Sequence, residues 1–122
     1  MNWLMVFIGG GLGCIARHGI NVLLLSKNLQ FPLATLIVNA LSCFIMGLMA
    51  NALLQQNQTL TRMFLLVGLC GGFSTFSAFT FESMTLIQQG NWSIAGVNII
   101  ANMVLCILTF LLGSYIYVCL KN

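Results

Sequence analysis

Between Gly68 and Ser83 the chain reads GLCGGFSTFSAFTFES. Adjacent glycines, Gly71 and Gly72, precede hydroxyls at Ser74, Thr75, Ser77 and Thr80, interleaved with Phe73, Phe76, Phe79 and Phe81. Glycine lets a helix unwind at little steric cost. An unwound turn releases carbonyl oxygens that can coordinate a hard cation without any carboxylate. Phe76 and Phe79, three apart, share a helical face, and ring edges carry the positive part of the aromatic quadrupole, so a pair aimed at one point attracts an anion weakly. A plain glycine kink and a packed aromatic stripe are the alternatives that these residues leave open.

The elements that must hold this stretch follow from composition. The chain has 122 residues, 60% hydrophobic and 4% charged, against about 25% charged in ordinary soluble domains. Hydropathy divides it into four apolar segments, about Trp3 to Leu25, Pro32 to Leu54, Arg62 to Gln88 and Ser93 to Cys119, each long enough to cross a bilayer. The expected fold is therefore an all-α membrane protein, one four-helix transmembrane domain over 1–122. The connections are short and polar, which makes neighbouring helices antiparallel and puts both termini on one side. The third helix is expected to break near Gly71 to Thr75, and irregular backbone at membrane depth is tolerated only inside protein or beside a water-filled cavity. No basic region precedes the first apolar run, which argues against a signal peptide. The five cysteines, Cys14, Cys43, Cys70, Cys106 and Cys119, all lie in apolar segments without a Cys-x-x-Cys pair and read as small buried hydrophobes.

Charge adds a second constraint. Arg62 and Lys121 fall on the side of the termini and Lys27 on the other, almost no bias under the rule that basic residues set orientation. Opposed copies of such a chain could pair, and four helices of this size can hardly enclose a pathway alone, so an antiparallel homodimer is expected.

Every segment carries one face that is not made for lipid. Gly10, Cys14, Arg17 and Asn21 recur at helical spacing in the first, Thr35, Asn39 and Ser42 in the second, and Asn98, Asn102, Cys106, Thr109 and Gly113 in the fourth. Small and hydroxyl residues on such faces serve helix packing, Gly9 and Gly13 forming a Gly-x-x-x-Gly pair. Arg17 is different, since a charge at mid-helix costs about 2.5–3.5 kcal/mol on insertion scales and must find a partner or water. It could cap carbonyls at a helix break or raise the local anion concentration. Glu82, the one acid in the chain, is its formal counterion candidate, although it lies toward the end of the third segment. Asn39 is either an interhelical clasp or a donor facing a desolvated anion. His18 reads as packed or interfacial.

These residues resemble the Fluc or CrcB family of small dual-topology fluoride channels over nearly the whole chain. The resemblance rests on GGGLGCIAR at Gly9 to Arg17, FPLATLIVN at Phe31 to Asn39, GLCGGFSTFSAF at Gly68 to Phe79 and QGN at Gln89 to Asn91. It implies a fluoride-selective passive channel that exports fluoride and so relieves its toxicity, as a multi-pass protein of the bacterial plasma (inner) membrane. It further implies two-pore homodimers, fluoride facing the ring edges of Phe76 and Phe79, and Asn39 and Ser77 along the path. Arg17 takes an electrostatic or structural role, and a structural sodium ion is held by the backbone carbonyls of Gly71 and Ser74. Against the family pattern, Ser74 stands where threonine is usual and Ala78 replaces a hydroxyl residue.

The alternative is a small dual-topology multidrug or cation antiporter. Coupled cation export needs a membrane-embedded carboxylate, typically in the first helix, where this chain has Arg17 instead. An assembly protein without transport would leave that arginine unexplained. Paired carboxylates, nucleophile triads and a P-loop are absent from the sequence, so an enzyme is not expected.

Overall fold

The computed structural model describes residues 1–25, 30–54 and 59–121, and all regular structure among them is helical. Helix α1 is Asn2–Leu25 and α2 is Leu33–Leu54. The third span begins as α3 (Thr59–Arg62), continues as a π-helix (Met63–Cys70) and α4 (Gly71–Phe73), is interrupted, and resumes as α5 (Phe76–Gln88). Helix α6, Trp92–Lys121, closes the bundle. The stretches Asn2–Leu24, Thr59–Gln88 and Trp92–Lys121 are long and apolar enough to cross a membrane, and α2 adds the apolar run Leu33–Met49. The 22 residues of α2 reach about 33 Å at the helical rise, the thickness of a hydrocarbon core. The molecule is a multi-pass membrane protein. Lys27, which entered the charge comparison, lies outside the described residues.

Two close helix contacts organise the bundle, and both are made by glycine against backbone. A side chain on Gly9 would collide with the Phe64 carbonyl, one on Gly13 with the Leu69 carbonyl, and one on Gly72 with Gly10. Thus α1 lies directly against the π-helix and α4. On the other side, Gly47 of α2 abuts the Phe110 carbonyl of α6, and Gly113 of α6 abuts the Phe44 carbonyl of α2. Lipid tails are as apolar as leucine, so helices associate in a bilayer through such dispersion contacts and interhelical hydrogen bonds rather than through hydrophobic exclusion.

The π-helix is a feature that hydropathy does not report. It holds eight residues, where π geometry ordinarily appears as single-turn bulges, often at functional sites. Its last carbonyl, that of Cys70, accepts from the Ser74 amide, the Ser74 hydroxyl and the Ser42 hydroxyl of α2, each at 3.0 Å. The chain then turns sharply between α5 and α6 at Gly90, whose φ of 80° lies in the left-handed region that glycine tolerates.

The five cysteines are all free, but only Cys70 is buried; Cys14 and Cys119 are exposed. The expectation of five buried thiols is corrected on this point, because an apolar segment has a lipid-facing side that burial in protein does not reach.

Placing valine at Gly13 should lower the melting temperature of the detergent-solubilised protein, overpacking of this kind costing about 1–3 kcal/mol or more. Gly11→Ala and Gly96→Ala, where an added Cβ meets nothing within 4 Å, should leave the melting curve unchanged.

Candidate functional site

The interruption in the third span is confined to two residues. Ser74 (φ −73°, ψ 156°) and Thr75 (φ −151°, ψ 113°) are extended, whereas Gly71 remains right-handed helical at φ −65°, ψ −36°. The break is thus shorter than the Gly71 to Thr75 stretch read from the sequence. The glycines supply close packing against α1 rather than the irregular dihedrals.

What makes the break possible is a side chain from another helix. The Thr75 amide donates to Asn39 Oδ1 at 2.8 Å, and Asn39 Nδ2 donates to the Thr75 carbonyl at 3.3 Å. Asn39 therefore pairs with both backbone groups of one extended residue, as a neighbouring strand would. The Thr75 hydroxyl in turn accepts from the Ala78 amide at 3.2 Å, capping α5. In an unbroken helix the amides of Thr75 and Ala78 would bond to the carbonyls of Gly71 and Ser74. Asn39 and the Thr75 hydroxyl take those donors instead, so both carbonyls lose their helical partners. Gly71 is exposed, and an added Cβ there would meet nothing within 4 Å. Two hard, neutral oxygen donors without their helical partners are of the chemical type that suits an alkali cation.

The aromatic pair flanks this break. The Phe76 and Phe79 rings lie 5.5 Å apart at 46°. Phe79 is 6% exposed and Phe76 71% exposed, so one ring belongs to the core and the other stands on the outer surface of the single chain. The hydroxyls between them divide similarly. Thr80 bonds back to the Phe76 carbonyl and Ser83 to the Phe79 carbonyl, at 2.9 and 2.8 Å. These hydroxyls satisfy their own helix. Ser77 Oγ instead lies 3.2 Å from Thr75 Oγ1.

Thr75 and Ser77 open onto a cleft of about 490 Å³ between α1 and the break, lined also by Cys14, Arg17, His18, Asn21, Ala78 and Phe81. Arg17 is half-buried; its Nη2 donates to Cys14 Sγ at 3.6 Å, and that thiol donates to the Gly72 carbonyl at 3.5 Å. The mid-helix charge thus finds a polar cleft. Glu82 is not its described partner: Glu82 Oε1 accepts from the Thr35 hydroxyl at 2.6 Å, and Glu82 Oε2 is buried with no hydrogen-bond partner among the described residues.

The structure therefore brings together Arg17, Ser77 and Thr75 at the cleft, Asn39 at the break, and Phe76 with Phe79. From the sequence Thr75 was read as one of the hydroxyls and as the end of the break, not as a site residue, although a threonine three residues before Ala78 at the start of a helical run is the spacing of a helix N-cap. Asn98 and Asn102 are likewise more central than a fourth-helix stripe suggests, being 0% and 5% exposed and linked to Asn39.

Known proteins bear on this arrangement. A family model described as CrcB-like protein, Camphor Resistance (CrcB), matches residues 4–114. A protein of Coxiella burnetii is 39% identical over 120 residues, covering 95% of this chain and 97% of its own. Proteins of Pyrococcus abyssi and Paracoccus denitrificans are each 40% identical over 112 residues, covering 90% and 92% of this chain and 90% of their own. All three are named fluoride-specific ion channel FluC.

Replacing Thr75 by valine should remove the cap on α5 and cost about 1 kcal/mol of stability, whereas Thr75→Ser should retain it. Thermal unfolding in detergent measures both.

Proposed function

The chain belongs to the CrcB-like family, and from that premise we propose that it is a fluoride-selective passive ion channel that exports fluoride and lowers its cytoplasmic concentration. The observation that carries this reading is the pairing of a side-chain-clasped helix break with two phenylalanines and a polar cleft holding the mid-helix arginine. No enzyme chemistry enters it.

Fluoride passes beside the edges of Phe76 and Phe79, with Ser77 along the track. Ring edges are weakly positive and, unlike water, offer no hydrogen bonds that a larger anion shares equally. Asn39 contributes its amide: the 3.3 Å bond to the Thr75 carbonyl is the longer of its two donations, so that hydrogen is the one an anion can take. Arg17 raises the anion concentration at the cleft without being the selectivity element. The Gly71 and Ser74 carbonyls would hold a structural sodium ion, which would supply positive charge beside the break.

The working unit is an antiparallel homodimer in the bacterial plasma membrane, its two orientations drawn from a chain with little basic bias, and each assembly has two pores. What supports this is Phe76, 71% exposed on one chain: a passage beside that ring is not closed by a single copy. The antiporter alternative finds no support, because the one acid, Glu82, sits in α5 on the Thr35 hydroxyl rather than in α1.

Fluoride efflux from liposomes containing the purified protein, measured by electrode with chloride as the comparison anion, tests the reading. Rapid efflux of fluoride alone is expected; silence from well-folded protein would overturn it. Phe76→Ile and Phe79→Ile should each cut fluoride flux by about tenfold or more, about 1.4 kcal/mol in the barrier, with assembly intact. Exchanging sodium for N-methylglucamine throughout preparation should weaken the dimer or its flux, and indifference would remove sodium from the account.

A further inference from the structure

The buried polar residues around the break form one directed chain. The Thr75 amide donates to Asn39 Oδ1 at 2.8 Å, Asn39 Nδ2 to Asn102 Oδ1 at 3.1 Å, and Asn102 Nδ2 to Asn98 Oδ1 at 3.0 Å. Asn98 Nδ2 then donates to Ser83 Oγ at 2.9 Å, and the Ser83 hydroxyl to the Phe79 carbonyl at 2.8 Å. Every link points the same way. The two ends fix that direction, since a backbone amide can only donate and a backbone carbonyl can only accept. Turning the Asn39 or Asn102 amide over would set donor against donor on one side and acceptor against acceptor on the other, and turning Asn98 over would set its NH₂ against that of Asn102. Asn98, Asn102, Ser83 and Thr75 are 0%, 5%, 5% and 7% exposed, and Asn39 is half-buried, so a link lost at Asn98 or Asn102 leaves a polar group in the protein interior.

The ends of the chain are not arbitrary positions. Thr75 immediately precedes Phe76, and Phe79 is the second ring, so the backbone at both ends of the Phe76 to Phe79 turn is tied to α6, at Thr75 through Asn39 of α2 and at Phe79 through Ser83. We infer that Asn98 and Asn102 of α6 are positioning residues for the fluoride element: their one-way hydrogen-bond chain sets the orientation of the Asn39 amide and the placement of the two phenylalanine rings. Neither lines the cleft at Arg17; they act through Asn39, Ser83 and the backbone. Asn102 matters most, because its Oδ1 occupies one Asn39 hydrogen and so leaves the other as the only one to exchange between the Thr75 carbonyl and an anion. This inference rests on the channel reading above.

The test uses the full chain reconstituted in liposomes, with flux expressed per assembled protein and selectivity as the fluoride-to-chloride ratio. Asn102→Leu, which removes both links at once, should lower per-protein fluoride flux by about tenfold or more, a change of the size expected when a reacting geometry is loosened. The double variant Asn39→Ala/Asn102→Leu should be no worse than the worse single variant to within about twofold, the non-additivity of residues in one network. A purely structural role would instead lower yield and melting temperature, with per-protein flux and selectivity within about twofold of the unsubstituted chain; that result, or losses that multiply, overturns the inference. Should Asn102→Leu not assemble, Asn98→Ser is read in its place. Its hydroxyl is too short to span Asn102 and Ser83, and it should also lower flux in assembled protein. Failure of that variant to assemble would assign the chain to folding alone and overturn the positioning role. Absence of selective fluoride flux from the unsubstituted protein is the distinct outcome that overturns the channel reading and this inference with it.

Discussion

A polar backbone group inside a bilayer has no water to turn to, and each one left unsatisfied there costs several kcal/mol. The structure is organised around meeting that demand at Ser74 and Thr75. Asn39 supplies an acceptor and a donor to a single extended residue, Thr75 caps the helix that follows, and Ser42 and Ser74 saturate the Cys70 carbonyl before it. Remove the amide of Asn39 and the break holds a pair of orphaned backbone groups, a penalty of about 1–3 kcal/mol for each that is left without a partner. The irregular backbone thus exists because a helix packed against it carries the right side chain, not because glycine is permissive.

The helices on either side of that clasp are themselves held by glycine contacts. Gly9, Gly13 and Gly72 seat α1 against the first half of the third span, while Gly47 and Gly113 seat α2 against α6. The two seams flank the break, so α1 delivers Arg17 and Cys14 to one side of it as α2 and α6 deliver three asparagines to the other. Small residues serve here less as flexible points than as absences that let polar side chains span from one helix to the next. Polar contacts between helices then add direction to a packing that dispersion alone would leave free to slide.

The sequence was legible where periodicity and composition speak. Apolar spans, the polar faces of the first, second and fourth segments and a break in the third were all accessible from spacing, because lipid exposure forces a sharp contrast between faces. The π-helix was not, since Met63 to Cys70 is uniformly apolar and hydrogen-bond offset leaves no compositional mark. The extent of the break was overestimated, because Gly71 and Gly72 look like the cause of unwinding while the dihedrals that depart from helix belong to Ser74 and Thr75. Nor could spacing tell which hydroxyls serve their own helix: Thr80 and Ser83 bond back one turn, Ser77 does not, and all sit in the same run. Glu82 as a partner for Arg17 was a pairing by charge alone; a hydroxyl from α2 is its described donor.

The thoroughness of internal pairing bears on conduction. Asn98, Asn102, Ser83 and Ser42 are each committed to protein partners, so the proposed track rests on Ser77, one hydrogen of Asn39, the ring edges and the field of Arg17. A conduction path must hold an ion well enough to admit it and weakly enough to release it. A site rich in unpaired donors would bind fluoride tightly and stop. Committing most of the polar side chains to the fold leaves the proposed track sparse, and a sparse track of weak contacts would let a strongly hydrated small anion pass rather than stay.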